Sequence, residues 1–171
     1  MKALLLAGGL GTRLGLKTKP KCMAKVNGKP VLEHIIEHLN KYGITEIIVK
    51  VHYKAEVIMK YFGTRVLYYF EPKLLNVEES EKNLQSWLGD EYIVMNGDTL
   101  TNIDIKKMAE RKARETLFWN KEKNHYAGTK LINKNGLGFL VDFWDGDGAY
   151  YLDIGDAHRL VKARRYLRKH L

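Results

Sequence analysis

The sequence has a single cysteine, Cys22, among 171 residues. No disulfide can form within the chain, so the fold must rest on its core, and a reducing, cytoplasmic setting is the expectation. Long apolar runs are missing too. Nothing approaches the roughly 20 residues that a membrane-crossing helix needs, which sets membrane partners aside. The start, Met1-Lys2 followed by Ala3 to Ala7, has the order of a signal peptide. Its apolar part spans only five residues, against about 7–15 in a secretory core, and it reads instead as a buried first strand. Internal repeats, low-complexity tracts and Pro/Gly/Ser-rich linkers are absent, so one domain over 1–171 is expected. That length can bury a core without disulfides or structural metal.

What is there begins with charge. Hydrophobic residues make up an ordinary 45%, but the formal net charge is +9. Such an excess favours anionic partners: nucleotides, phosphorylated sugars, nucleic acid or acidic surfaces. Much of it lies late, at Arg159, Lys162, Arg164, Arg165, Arg168 and Lys169. These positions read first as a solvated helix face. Nucleic-acid binding is the competing reading, and the cluster carries one aromatic, Tyr166, and no nucleic-acid motif.

Short apolar runs alternate with amphipathic stretches. Ala3 to Ala7 predicts a buried parallel strand, and Gly8 to Lys29 a long Gly-, Lys- and Thr-rich loop. A helix is predicted over Pro30–Tyr42, with Pro30 at its first position, Val31, Leu32, Ile35, Ile36 and Leu39 on one face, and Gly43 as its stop. Strands follow at 44–51 and 65–70, with a short helix at 54–62 between them. A charged helix is predicted over Glu78–Leu88, a strand over Tyr92–Met95, and a helix over Asp104–Arg114 capped by Asp104. Residues 116–152 read as β-rich, with turns at Asn133–Gly136 and Asp145–Gly148. A last helix is predicted over 157–170, capped by Asp156. The alternation predicts an α/β domain around a mainly parallel sheet. Ligands of such sheets sit outside the carboxyl ends of the strands. The Gly8 loop and Asp98 both follow predicted strands and so share that edge.

Four features there carry chemistry. Gly8-Gly9-Leu10-Gly11-Thr12-Arg13-Leu14 places glycines after a strand, where backbone amides can cradle a phosphate. It is neither a dinucleotide fingerprint, because Leu14 stands where a glycine would close one, nor a Walker loop, because no G-K-[ST] follows. Arg13 adds a fork that grips phosphate oxygens. Lys21, beside the stiff Pro20, offers a second cation. Asp98, in Asn96-Gly97-Asp98-Thr99, either holds Mg²⁺ or closes a turn. Asp153, in an apolar context, calls for a metal or an arginine partner. His34 and His38, four apart on a helix, are either a zinc pair or ordinary boundary residues. No Ser/His/Asp or Cys/His arrangement is visible.

These motifs resemble those of the sugar-phosphate nucleotidylyltransferases. The resemblance lies in Leu6 to Leu14, Pro20-Lys21, Val26 to Glu33, Gly43 to Val49, Tyr53 to Glu56, Asn96 to Thr99 and Asp153-Ile154-Gly155. Its nearest branches act on mannose, glucose or heptose 1-phosphate. It implies a three-layer, Rossmann-like nucleotidyltransferase fold with a mixed, mainly parallel sheet. It implies transfer of a nucleoside monophosphate from a triphosphate to a sugar 1-phosphate, with Mg²⁺ as cofactor. Leu6, Ala7, Gly8, Gly9, Gly11, Thr12 and Arg13 would hold the nucleotide. Arg13, Lys21 and Asp98 would be catalytic, Lys21 and Gly128 would contact the sugar phosphate, and Asp98 and Asp153 would hold the metal.

The chain departs from the family in two places. Where the family has a loop of small residues after Glu-Pro, this chain has Glu71-Pro72 and then Asn76-Val77-Glu78-Glu79-Ser80. Glu78 and Glu79 either crowd the base pocket or point outward. The sugar-binding part is compressed to 117–152. The chain is thus a minimal enzyme, an enzyme completed by a second subunit as a homodimer, or a regulatory module that binds nucleotide or sugar phosphate without turnover.

Overall fold

The computed structural model describes residues 1–16, 18–120, 125–143 and 149–170. The predicted first strand is β1, Lys2–Leu6. The segment after it is more ordered than a plain loop. It holds two short 3₁₀ turns, at Thr12–Leu14 and Lys21–Met23, and a small hairpin of β2 (Lys25–Val26) and β3 (Lys29–Pro30). The hairpin feeds α1, Val31–Lys41, with Pro30 capping the helix rather than opening it. Then come β4 (Ile47–Val51), α2 (Ala55–Phe62) and β5 (Leu67–Phe70). The predicted long charged helix is two helices, α3 (Val77–Asn83) and α4 (Gln85–Leu88), parted at Leu84. β6 (Glu91–Asn96) is followed by β7 (Thr99–Thr101), a strand whose three residues carry no alternation to predict it.

α5, Ile105–Glu110, is shorter than predicted, but Asp104 caps it as expected, accepting the Lys107 amide at 3.1 Å. The β-rich second half resolves into β8 (Glu115–Asn120), β9 (His125–Asn133), β10 (Phe139–Phe143) and β11 (Tyr151–Asp153). The turn at Asn133–Gly136 is present, closed by the Gly136 amide on the Asn133 carbonyl at 2.9 Å. The turn predicted at Asp145–Gly148 lies outside the described residues. The chain's last helix is α6, Ala157–His170, and Asp156 accepts the Arg159 amide at 2.9 Å at its start.

The main sheet has seven strands in the order β10-β8-β9-β6-β1-β4-β5. β6, β1, β4 and β5 run parallel, and β9 is antiparallel to both β6 and β8. Alternate side chains face two layers, as a sheet covered on both sides requires. Ala3, Leu5, Ile47, Val49, Ile93 and Met95 pack in one core with the buried stripes of α1, α2, α5 and α6. Leu4, Ile48, Tyr92 and Val94 pack in another with Leu84 and Leu88, at the start and end of the α4 turn. The result is the expected three-layer architecture with a mixed sheet. Lys130 on β9 ties α3 to the sheet by an ion pair with Glu81 at 2.6 Å, and Tyr92 donates to the same carboxylate at 3.0 Å.

Strand order fixes the site. The chain leaves β1 toward β4 and β5, then returns to place β6 on the opposite side of β1. Connections diverge between β1 and β6, and a crevice opens outside their carboxyl ends. Among the described residues, no helix is long and apolar enough to cross a membrane.

Candidate active site

The loops after β1 and β6 touch at their bases. The Gly97 amide donates to the Leu6 carbonyl at 3.0 Å. A Cβ on Gly97 would lie 2.9 Å from that oxygen and 3.3 Å from Ala7 Cβ, so glycine is required by contact. This packing puts Asp98, the next residue, directly over the start of the glycine loop. Gly11 has φ of 62°, and its missing side chain leaves room for the Lys21 stem, whose Cβ stands 3.0 Å from where Gly11's would begin. Lys21 then reaches Asp98 and pairs with it.

A cavity of about 100 Å³ results, lined by Leu6, Ala7, Gly9, Gly11, Lys21 and Asp98. A second, of about 220 Å³, is lined by Leu10, Gly11, Thr12, Arg13, Lys21, Leu74 and Gly155. Six of the seven residues predicted to hold the nucleotide therefore line these two cavities. The seventh, Gly8, packs under Leu74 and His52. Arg13 is exposed and makes no side-chain hydrogen bond or ion pair among the described residues, leaving its guanidinium for an anion. Cys22, next to Lys21, also lines the smaller cavity but is buried. Burial first, and the Asp98 charge second, push its thiol up to about 12, which rules it out as a nucleophile at neutral pH.

Asp153 arrives from the other side. β11 pairs antiparallel with β7, setting Asp153 opposite Thr99, and the Ile154 amide donates to the Asp98 carbonyl at 3.1 Å. Both carboxylates act on Tyr151, whose hydroxyl is pushed up to about 12 by burial, then by Asp153, with a smaller part from Asp98. Each carboxylate side chain is 22% exposed and each has a cation, Lys21 for Asp98 and Arg159 for Asp153. Of the two partners that the Asp153 position called for, an arginine is present. Mg²⁺ takes one or two protein carboxylates and fills its shell with water and phosphate oxygens. Two partly open carboxylates at adjoining strand ends suit that demand. Among the described residues, no cluster of three or more His, Cys, Asp or Glu stands ready to cage a metal.

Several expectations are refined. Gly128 does not line either cavity; it sits on β9 against the Asn96 side chain, two residues before Asp98. His34 and His38 are not a zinc pair. Their Nε2 atoms meet different carbonyls, of Val26 at 2.8 Å and Ile103 at 2.9 Å. Glu78 and Glu79 point outward at the start of α3. Glu79 closes a capping box, accepting the Asn76 amide at 3.1 Å while Asn76 accepts the Glu79 amide at 2.8 Å. They line neither of the two cavities. On α6, Arg159, Lys162, Arg164, Arg165, Arg168 and Lys169 are exposed, as a solvated face would be, and Arg164 is tied to the Lys25 carbonyl at 2.9 Å.

Sequence reasoning missed Lys50. A lysine inside an Ile/Val strand reads as a solvent-facing position, yet Lys50 is 4% exposed. It pairs with Glu71 at 3.1 Å beside the site, and the fully buried Glu71 was flagged only through Glu71-Pro72.

Comparison with known proteins gives the family and the fold. The model of the MobA-like NTP transferase domain matches residues 3–124. A D-glycero-alpha-D-manno-heptose 1-phosphate guanylyltransferase of Campylobacter jejuni is 37% identical over 150 residues, 84% of this chain and 67% of that protein. A glucose-1-phosphate cytidylyltransferase of Salmonella typhimurium is 38% identical over 117 residues, 64% of this chain and 45% of that protein. The chain thus spans about two thirds of the first relative's length and less than half of the second's. The crystal structure of HddC from Yersinia pseudotuberculosis complexed with GMP-PN superposes with a TM-score of 0.79 at 23% identity, covering 97% of this chain and 99% of that one. With the fold shared along its length and the domain model spanning the glycine loop and Asp98, the chain belongs to the MobA-like NTP transferase family and is a homologue of sugar-1-phosphate nucleotidylyltransferases.

Proposed function

We propose that this chain transfers a nucleoside monophosphate from a nucleoside triphosphate to a sugar 1-phosphate and releases pyrophosphate. The observation that carries the reading is the convergence of the glycine loop, Arg13, Lys21 and Asp98 on adjoining cavities at the β1–β6 crevice. Amides of residues 8–12 would cradle the triphosphate, and the exposed Arg13 would grip its terminal phosphates. Lys21 would leave Asp98 and bind oxygens of the α-phosphate and the incoming sugar phosphate. Mg²⁺, held by Asp98 and Asp153, would add charge neutralisation on the triphosphate.

The chemistry needs little else. A sugar phosphate has a second pKa near 6, so its oxygen is already ionised at neutral pH and no general base is required. That oxygen attacks the α-phosphorus in line, the bond to the α–β bridging oxygen breaks, and pyrophosphate leaves with the electron pair. The protein's task is alignment and charge stabilisation. The inert Cys22 and the carbonyl-bound His34 and His38 accord with a site that lacks a nucleophile. The names of the relatives make guanosine triphosphate with heptose 1-phosphate, and cytidine triphosphate with glucose 1-phosphate, the first pairs to try.

A sugar 1-phosphate labelled with ¹⁸O in its non-bridging oxygens tests the bond change. Phosphorus NMR should find the label in the nucleotide sugar and none in the pyrophosphate. Label in the pyrophosphate, or free nucleoside monophosphate as the main product, would contradict the proposed transfer.

A further inference from the structure

We propose that the buried cluster of Lys50, Glu71 and Ser80 is a positioning device that fixes Leu74 as the base-side wall of the nucleotide pocket. The inference rests on the nucleotide-binding reading above. Lys50 leaves β4 into the interior, where a bare ammonium would be very costly. All three of its donors are satisfied, by Glu71 Oε2 at 3.1 Å, Ser80 Oγ at 2.8 Å and the Leu75 carbonyl at 2.8 Å. Glu71 and Ser80 are both 0% exposed. The Glu71 carboxylate also accepts the Ser80 hydroxyl at 2.7 Å and the Leu75 amide at 3.3 Å. Its backbone is held as well, the amide donating to Val51 at 3.0 Å and the carbonyl bound by His52 Nδ1 at 2.7 Å.

The segment from Glu71 to Ser80 is thereby pinned at both ends and at Leu75, whose amide and carbonyl are both held, so that 72–74 form a three-residue span fixed on either side. Leu74 is 54% exposed at the mouth of the cavity it shares with Gly11, Thr12, Arg13 and Lys21. Its Cδ1 lies 3.4 Å from where a Gly8 side chain would begin. An apolar side chain held beside a phosphate cradle, and left uncovered in the free protein, suits the flat face of a nucleotide base. Stability alone does not call for such a cluster, since apolar residues in place of a buried ion pair often fold equally well. What ionic partners add is a defined path for the segment that carries Leu74.

The test is nucleotide affinity measured by calorimetry on the full chain. Substitutions are Ser80→Ala, Leu74→Ala and the pair together, with an apolar Lys50→Met/Glu71→Leu/Ser80→Ala variant beside them. Ser80→Ala should weaken nucleotide binding about five-fold, the order of one hydrogen bond. The KM for sugar 1-phosphate should not move. Leu74→Ala should weaken binding similarly, and the pair should cost little more than Leu74→Ala alone, because Ser80 acts through Leu74. The apolar variant should melt as a folded protein yet bind nucleotide about ten-fold more weakly. Wild-type affinity in folded Ser80→Ala or apolar variants, or additive losses in the pair, would overturn the positioning role. Wild-type protein that binds no nucleoside triphosphate would overturn the proposed function itself, and this inference with it.

Discussion

Gly97→Ala probes the joint that sets the site. The added methyl would sit 2.9 Å from the Leu6 carbonyl oxygen, where carbon–oxygen contacts ordinarily fall at about 3.3–3.6 Å. Something must yield by roughly half an ångström. The oxygen and the Cα that would carry the methyl are both backbone at the ends of parallel strands, and the same oxygen already accepts the Gly97 amide at 3.0 Å. Overpacking of this kind costs about 1–3 kcal/mol. Replacing glycine returns about 0.4–1 kcal/mol by restricting the unfolded chain. The net loss should be on the order of 1–2 kcal/mol, a fall of roughly 3–6 °C in melting temperature for a chain of this size. Activity should fall further than stability, because Asp98 is the next residue. A displacement of 1 Å can cost about 100-fold in rate, so half that should cost on the order of ten-fold. Scanning calorimetry and pyrophosphate release on the same preparation measure both. An unchanged melt with unchanged turnover would refute the claim that the β1–β6 contact positions Asp98.

Other perturbations separate site chemistry from fold. Arg13→Ala and Lys21→Ala should each lower kcat by about 10²–10³ with little change in melting temperature, because both lie in the loop outside the sheet; full activity in Lys21→Ala would remove that residue from the phosphates. His38 is held below the usual histidine range by burial first, the Ile103 carbonyl opposing and Lys41 adding to the shift. The unfolded chain therefore takes up a proton first as pH drops. The contribution of His38 should be complete above about pH 6.5 and fade below it, levelling off beneath the folded-state pKa, and His38→Gln should flatten urea-melt stability across that window. Cys22 should resist iodoacetamide in the native protein at about pH 8 and react once the chain is unfolded, as read by mass spectrometry. Glu79→Gly should weaken α3 by about 1 kcal/mol through loss of its capping box and leave nucleotide affinity unchanged.

Much of this was legible in the sequence because local rules and tertiary demands agree. Val31, Leu32, Ile35, Ile36 and Leu39 form the buried stripe of α1, and Asp104 and Asp156 cap the helices they precede. The glycine loop and Asp98 line one cavity, as their places after buried strands implied. What escaped the reading depends on contacts distant in sequence. β7 is too short for a pattern and exists because β11, some 50 residues later, pairs with it. The charged helix splits because Leu84 turns into the second core. Lys50 looks like a surface residue until Glu71 and Ser80 are brought to it. Glu79 looks like an intruder in a base pocket until its side chain is seen closing its own helix.

The most direct measurement is pyrophosphate release by the purified protein with Mg²⁺, across guanosine, cytidine, uridine, adenosine and thymidine triphosphates, each with a series of hexose and heptose 1-phosphates. The account predicts release that needs both substrates, peaks with one base and sugar pair, and is lost in Lys21→Ala. Silence for every pair, with nucleotide still bound, would contradict the transfer and leave a domain that binds nucleotide without turning it over.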